Sequence, residues 1–249
     1  DVAAYAGGYI FLRYLAKQVS NPTAVSVNGP LTGTRYTGSK TKLLLTSDFT
    51  AGKIRLDGSD GVTYAGTVTT VDGSAARGSL ILVGNSVANT LIAGSGDSQL
   101  WGGIGGNDTL QGGSGKDTFW YDNGDGNDTI TGFTSRLDTL YLYNGKLQSV
   151  TTSGDDVIIW VGGTEAVTLK AMAGKQLTVN NGGKLYESVF ARQDQDSTVS
   201  WSSTLDFYYA SGNWTNTIQV TGSAAASIRL DNSGAEAYYG FNRINATDS

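Results

Sequence analysis

Cysteine and histidine are both missing from this chain of 249 residues, which also has only one methionine and two prolines. Without cysteine no disulfide can staple a secreted fold, so a bound metal ion is the expected substitute. Without histidine, zinc catalysis and histidine-dependent triads are excluded within this chain, although chemistry that uses carboxylates alone is not.

Charged side chains are also scarce, at 16% of residues, and the net charge is -5. A nucleic-acid-binding protein needs a basic face, so this charge argues against nucleic acid as a partner. Hydrophobic residues make up 39%, which is enough for a core, and the 35 glycines stand among many Thr, Ser and Asn residues. This composition predicts turns and strands, and therefore a mainly β protein.

A repeat of about nine residues organises the stretch from Gly84 to Tyr143. Glycines crowd into the first four places of each row. The eighth place is always large and apolar, in the order Leu91, Leu100, Leu110, Phe119, Ile130 and Leu140. The sixth place is small and polar or acidic, in the order Asn89, Ser98, Asp108, Asp117, Asp128 and Asp138.

Each row predicts one tight turn followed by one short strand, because glycine permits positive φ angles and a single inward apolar residue suits a minimal strand. Successive rows then alternate between two sides of a flattened coil. Rows two apart stack at about 4.8 Å, the spacing of paired strands. Their facing turns present carbonyl and carboxylate oxygens to a common point, as calcium requires.

The rows resemble the RTX (repeats-in-toxin, hemolysin-type) calcium-binding nonapeptides of secreted bacterial proteins, with the pattern G-G-x-G-x-D-x-U-x. Residues Gly112 to Trp120 match every place, Gly103 to Gln111 departs at its second place, and Asn123 to Thr131 departs at its first. The resemblance implies a parallel β-roll, or β-solenoid, with Ca²⁺ between turns two rows apart. The alternative is a loop-rich segment of low complexity with no ion.

The resemblance also implies the residues that bind calcium. Asp108 should pair with Asp128 on one edge of the roll, and Asp117 with Asp138 on the other. Turn residues complete the candidate set: Gly103, Gly105, Gly112, Ser114, Asn123, Asp125 and Asn89. Asn89 and Ser98 stand where the family has Asp, so the first two rows depart from its pattern.

The N-terminal segment predicts one amphipathic α-helix, because Tyr5, Tyr9 and Leu12 follow helical spacing before Pro22 ends it. Charged and glycine residues within it argue against a signal peptide and against a membrane span. The stretch GGYIFLRYLAKQ also resembles the closing helix of some secreted zinc-peptidase domains. If that resemblance is meaningful, the catalytic part lies outside this chain.

A duplicated module frames the repeats: the IRLDGS motif that starts at Ile54 returns as IRLDNS from Ile228. Strands are predicted before and after the repeats, including Ala24–Val27, a long one over Val62–Val71, and Glu165–Leu169. The predicted segments are a helix at 1–22, a first module at 23–83, the calcium-binding roll at 84–143, further strands at 144–183, and a second, truncated module at 184–249.

The second module stops at Ser249, where calcium rows would be expected to follow, so we expect it to accept strands from another copy of the chain. The candidate assembly residues are Ile228, Leu230, Tyr238, Tyr239, Phe241 and Ile244, with Tyr5, Tyr9 and Leu12 of the predicted helix. The alternative is a monomer whose C-terminal strands fold back on the chain.

These expectations favour an extracellular or cell-surface, calcium-stabilised structural protein without enzymatic activity, which assembles into a fibre, surface layer or matrix. One alternative is the non-catalytic secretion or stabilisation region of a larger RTX metalloprotease or toxin. Another is a carbohydrate-binding adhesin module, because aromatic residues between Tyr186 and Tyr209 lie in a Ser/Thr/Asn-rich setting that suits sugars.

Overall fold

A computed structural model describes most of the chain between residues 24 and 190, together with four short strands beyond it. The described ranges are 24–29, 40–62, 68–144, 147–190, 197–201, 207–209, 216–220 and 243–246. Every regular element within these ranges is a β-strand. The predicted helix at 1–22 lies outside the described residues. No described helix is long and apolar enough to cross a membrane.

One large sheet has nine strands within the described residues. In spatial order they are β1 (Ala24–Val27), β2 (Lys42–Leu45), β4 (Thr70–Asp72), β6 (Thr90–Ile92), β8 (Thr109–Gln111), β10 (Asp128–Thr131), β14 (Ala166–Leu169), β13 (Asp156–Val161) and β12 (Leu147–Ser153). All pairs from β1 to β14 are parallel. The last two pairs are antiparallel.

The second large sheet has eight described strands and faces the first. In spatial order they are β3 (Gly52–Arg55), β5 (Leu80–Val83), β7 (Gln99–Trp101), β9 (Thr118–Tyr121), β11 (Thr139–Leu142), β15 (Gln176–Asn181), β16 (Lys184–Phe190) and β18 (Phe207–Tyr209). Only the β15–β16 pair is antiparallel. A separate parallel sheet contains β17 (Ser197–Trp201), β19 (Asn216–Val220) and β20 (Arg243–Ala246).

The chain crosses from one large sheet to the other at each turn of the repeat region, so neighbours within a sheet are two rows apart. This is the parallel β-roll that the repeat predicts. The sheets continue through residues 83 and 143 without a break, and the division of the chain into domains stays a prediction.

The core lies between the two sheets and is built from the eighth place of every row. All six of these side chains are buried. Within a sheet they pair with one another, for example Leu100 with Phe119 and Phe119 with Leu140. Burying such a side chain contributes about 1.5–3 kcal/mol, so each row adds its own increment to the roll.

Where the structure describes it, the predicted long strand over Val62–Val71 is wrong in its extent: residues 62, 68 and 69 belong to no strand, and the described strand covers Thr70–Asp72. Residues 63–67 of this prediction lie outside the described residues. The ladder with its neighbours β2 and β6 is three residues long on this strand. The backbone N–H of Val62 instead donates to Oδ1 of Asp60. The predicted strand Ala24–Val27 is confirmed.

Candidate metal centre

The turns of the roll stack along two opposite edges. The first edge contains the turns at 84–89, 102–108 and 122–127, each leading from the eight-stranded to the nine-stranded sheet. The second edge contains the turns at 93–98, 112–117 and 132–138, which lead back. Turns on one edge also bond directly, as when the N–H of Gly105 donates to the carbonyl oxygen of Gly124 at 2.7 Å.

A ladder of sixth-place side chains runs along the first edge. The N–H of Asn89 donates to Oδ1 of Asp108 at 2.6 Å, and the N–H of Asp108 donates to Oδ1 of Asp128 at 2.9 Å. All three residues are buried. The structure therefore brings Asp108 and Asp128 together, in the pairing that the repeat predicts.

The second edge carries the matching ladder. The N–H of Ser98 donates to Oδ1 of Asp117 at 2.9 Å, and the N–H of Asp117 donates to Oδ1 of Asp138 at 2.8 Å. Asp117 and Asp138 are completely buried. The predicted second pair is thus also adjacent.

The two edges differ in how the other carboxylate oxygen is satisfied. On the second edge, Oδ2 of Asp117 accepts from the N–H of Gly113 and Oδ2 of Asp138 accepts from the N–H of Thr134, both at 2.7 Å. On the first edge, Oδ2 of Asp108 and Oδ2 of Asp128 are buried without any hydrogen-bond partner.

For Asp128 the difference follows from where the backbone N–H four residues before it donates its hydrogen bond. On the second edge the donor is the N–H four residues before the carboxylate. The corresponding N–H for Asp128 belongs to Gly124, and it donates instead to Oε2 of Glu165. Burying an acceptor without a donor lowers the stability of the fold, so these two carboxylate oxygens without a hydrogen-bond partner indicate a site for a positive ligand.

Burial is also the main reason why these carboxyl groups hold their protons strongly. It raises the pKa of Asp128 to about 8 and that of Asp108 to about 7, with the negative charge of Asp125 adding to both. On the second edge, burial raises the pKa of Asp117 to about 6 and also raises that of Asp138. A cation between the turns would reverse this preference and hold the carboxylates ionised.

Glycine is required where the turns approach the carboxylates. A Cβ added to Gly102 would lie 2.1 Å from Oδ2 of Asp108, and one added to Gly112 would lie 2.8 Å from the carbonyl oxygen of Gly132. Gly103 and Gly105 of the first edge both have positive φ angles, of 104° and 73°. These turns therefore bring backbone oxygens close to the acidic groups, which larger residues would prevent.

Two predicted site residues use their side chains elsewhere, and the side chain of a third is exposed. The amide of Asn89 accepts from the N–H of Asn85 and donates to the carbonyl oxygen of Thr69. The exposed side chain of Asn123 lies beside Gly162, and Ser114 is exposed in the turn at 112–117. The backbone oxygens of Asn123 and Ser114 remain candidate ligands, as the repeat predicts.

The carboxylate of Asp125 points to the outer side of the eight-stranded sheet. Its Oδ2 accepts from the indole Nε1–H of Trp101 at 2.9 Å and from the N–H of Asp122 at 2.8 Å. Its Oδ1 accepts from the hydroxyl of Tyr143 at 3.3 Å. Asp125 therefore joins a first-edge turn to aromatic residues, a role that the repeat pattern did not predict.

Sequence reasoning also missed the loop at 162–165, which covers the last turn of the first edge. Besides the contact of Glu165 with Gly124, the N–H of Ala166, at the start of β14, donates to the side chain of Asn127, as the N–H of Asn127 does to Asn107. Glu165 is 40 residues after Asp125 and outside any repeat, so the sequence offered no signal for this contact.

In the part of the chain that the structure describes, no three acidic side chains converge to hold a metal ion. A cation on either edge would therefore bind two carboxylates and several backbone oxygens. Such an all-oxygen set suits a hard cation of flexible coordination, and calcium takes 6–8 oxygen ligands of these kinds. The residues present thus fit calcium.

Comparison with known protein families agrees with this geometry. Residues 83–118 and 105–125 match the family described as RTX calcium-binding nonapeptide repeat (4 copies). The matched residues contain the turns of Asp108 and Asp117. No curated protein matches the chain.

Proposed function

We propose that the RTX repeats of this chain bind calcium and so stabilise an extracellular structural β-roll. The observation that carries the proposal is the buried pair Asp108 and Asp128, each with one carboxylate oxygen lacking a hydrogen-bond donor. The match of residues 83–118 and 105–125 to a family of calcium-binding repeats, which includes the turn of Asp108, supports it.

On the first edge the ion would be held by Asp108 and Asp128, with backbone oxygens near Gly103, Gly105, Asn123 and Asp125. On the second edge it would be held by Asp117 and Asp138, with backbone oxygens near Gly112 and Ser114. Calcium supplies positive charge that permits these buried groups to ionise. The chain supplies the stacked turns that bring the oxygens together.

Folding should depend on calcium, because the carboxylates of one edge meet only when the roll is formed. An ion that binds only the folded state adds its binding free energy to the stability of that state. Calcium sites of extracellular modules typically have dissociation constants of about 10⁻⁴–10⁻³ M, which suits a protein that folds after leaving the cell.

A calcium titration of the chelated protein, followed by circular dichroism and thermal unfolding, tests the proposal. We expect the strand signal and the midpoint temperature to rise with calcium, and magnesium at equal concentration to have a much smaller effect. Full strand content and an unchanged midpoint in excess chelator would refute the proposal.

The proposed structural role is assembly into a fibre, surface layer or matrix through contacts between copies. Within the described residues, each large sheet has a parallel strand at one of its ends, which is β1 in the nine-stranded sheet and β3 in the eight-stranded sheet. A terminal strand can pair with a strand of another chain, and contact between two unlike ends propagates instead of closing. Of the candidate assembly residues, Ile244 lies in β20, and the others are outside the described residues.

Electron microscopy with and without calcium tests assembly. Ordered fibres or sheets would support it, and deletion of Tyr238 to Ser249 should then leave a folded, calcium-binding protein that no longer polymerises. Dispersed monomers under both conditions would favour the alternative, in which the chain is the non-catalytic region of a larger RTX metalloprotease or toxin.

A further inference from the structure

The outer face of the eight-stranded sheet carries a column of aromatic residues. Because strand register is kept from row to row, Trp101 pairs with Trp120 and Trp120 pairs with Tyr141. Their neighbours along each strand are the buried core residues, so the aromatic side chains point outward. All three are half-buried and therefore partly open to solvent.

A groove of about 320 Å³ lies on this face, with Trp101, Trp120 and Tyr143 among its lining residues. Two polar side chains, Arg55 and Gln99, also line it. Apolar walls with a few polar groups, in a volume of roughly 300 Å³ or more, are typical of small-molecule sites.

The walls of the groove are held in place by contacts within the protein. Trp101 is fixed by its bond to Asp125 and meets the ring of Tyr143 edge-on, at 5.8 Å and 81°. Trp120 packs on Tyr141 at 4.3 Å between ring centroids. Because these side chains are already ordered, a ligand that binds here causes little further loss of side-chain entropy, which favours binding.

The charges around the groove limit what it can bind. Arg55 is the charged residue among the lining residues of the groove, and its guanidinium is bonded to both oxygens of Asp57, at 3.2 and 2.8 Å. This ion pair has little net charge, so it offers little net attraction to an anion or to a cation. A neutral ligand fits these charges best.

We propose that this groove binds the ring of a neutral carbohydrate. A sugar ring has an apolar face of C–H groups, which suits the aromatic walls, and hydroxyls at its rim, which suit Gln99 and Arg55. The adjacent column on the same face is polar beyond Ile81, with Gln99, Thr118 and Thr139 in register, so neighbouring rings of an oligosaccharide would also find hydrogen-bonding partners.

The calcium-loaded protein is first applied to an array of neutral and acidic oligosaccharides, and affinity for the neutral glycans bound is then measured by tryptophan fluorescence. We expect neutral glycans to bind, and Trp101→Ala or Trp120→Ala to weaken binding at least about tenfold. Trp160→Ala is the matched control, since Trp160 is half-buried on the nine-stranded sheet, and it should leave affinity unchanged.

Gln99→Ala is a variant that should fold as the wild type does, because Gln99 is exposed. It should weaken glycan binding by roughly threefold, as the loss of one hydrogen bond predicts. The proposal is overturned if no neutral glycan binds, or if Trp160→Ala weakens binding as much as the groove variants. Shielding of the groove tryptophans from acrylamide, with no glycan bound, would also overturn it, since another part of the chain or a second copy would then cover the groove.

Discussion

The indole Nε1–H of Trp101 donates a 2.9 Å hydrogen bond to Oδ2 of Asp125, and so connects the outer face of the eight-stranded sheet to a turn of the first edge. The same oxygen accepts from the N–H of Asp122. Ordering of this turn by calcium should therefore change the environment of Trp101.

Asp125→Ala should destabilise the protein by about 1–3 kcal/mol, because it leaves the buried N–H of Asp122 and the indole N–H without an acceptor. The fluorescence emission of Trp101 should shift to longer wavelength. Its emission is isolated by subtracting the spectrum of the same protein with Trp101→Phe. Asp97→Ala is the control, since exposed Asp97 accepts one hydrogen bond from the backbone N–H of Lys116, and the loss of stability should stay below about 1 kcal/mol. Equal losses in both variants would contradict the link between turn and groove.

Asp128→Asn should weaken calcium binding by more than about tenfold, because it removes one of two charges that face the ion. Isothermal titration with calcium measures this loss. Without calcium, at pH 9, the substitution should instead raise stability, and the variant should unfold at a higher temperature than the wild type. The reason is that the wild type buries a charged carboxylate at this pH, whereas the variant buries a neutral amide. A variant that is less stable under both conditions would argue for a purely packing role of Asp128.

Calcium-free protein should lose stability as pH rises from about 4, near the ordinary aspartate pKa of 3.8, to about 8. The pKa of Asp108 is raised to about 7 and that of Asp128 to about 8, both mainly by burial. A folded-state pKa above the unfolded value stabilises the fold at low pH, and that stabilisation is lost as pH passes through the folded-state pKa. Urea unfolding in chelator across this range measures the slope. The double variant Asp108→Asn, Asp128→Asn should show a flatter profile, and an unchanged slope would contradict the assignment.

Gly113→Ala should disrupt the second edge, because the added Cβ would lie 1.6 Å from the carbonyl oxygen of Gly94. Forcing these turns apart should cost about 1–3 kcal/mol, measured by urea unfolding in saturating calcium. Gly29→Ala is the matched control, since nothing lies within 4 Å of its added Cβ. It should cost nothing measurable, and an equal effect of both changes would contradict the close approach of the turns.

Phe119→Ala should cost about 3–5 kcal/mol, because Phe119 fills the core between the sheets and is completely buried. Thermal unfolding with calcium present measures the change. Ile104→Ala removes an apolar side chain that is 68% exposed and should fall within about 0.5 kcal/mol of wild type. A small loss at Phe119 would mean that the eighth place does not form the core.

The repeat by itself determined the roll. Its period placed Leu110 and Phe119 inside and paired Asp108 with Asp128, because a nearly constant row length puts every second row in the same register. These are properties of a local pattern that the backbone repeats, so they follow from the order of residues alone.

Tertiary structure decided what lies between the rows and beyond them. The free oxygens on the first edge, the turn of Asp125 towards Trp101 and the contact of Glu165 with Gly124 all join residues from different turns or from outside the repeat. No sequence period encodes them, since each depends on where loops of unequal length bring a side chain once the sheets have stacked. The same holds for the groove, whose walls become neighbours only because β7 and β9 pair in register.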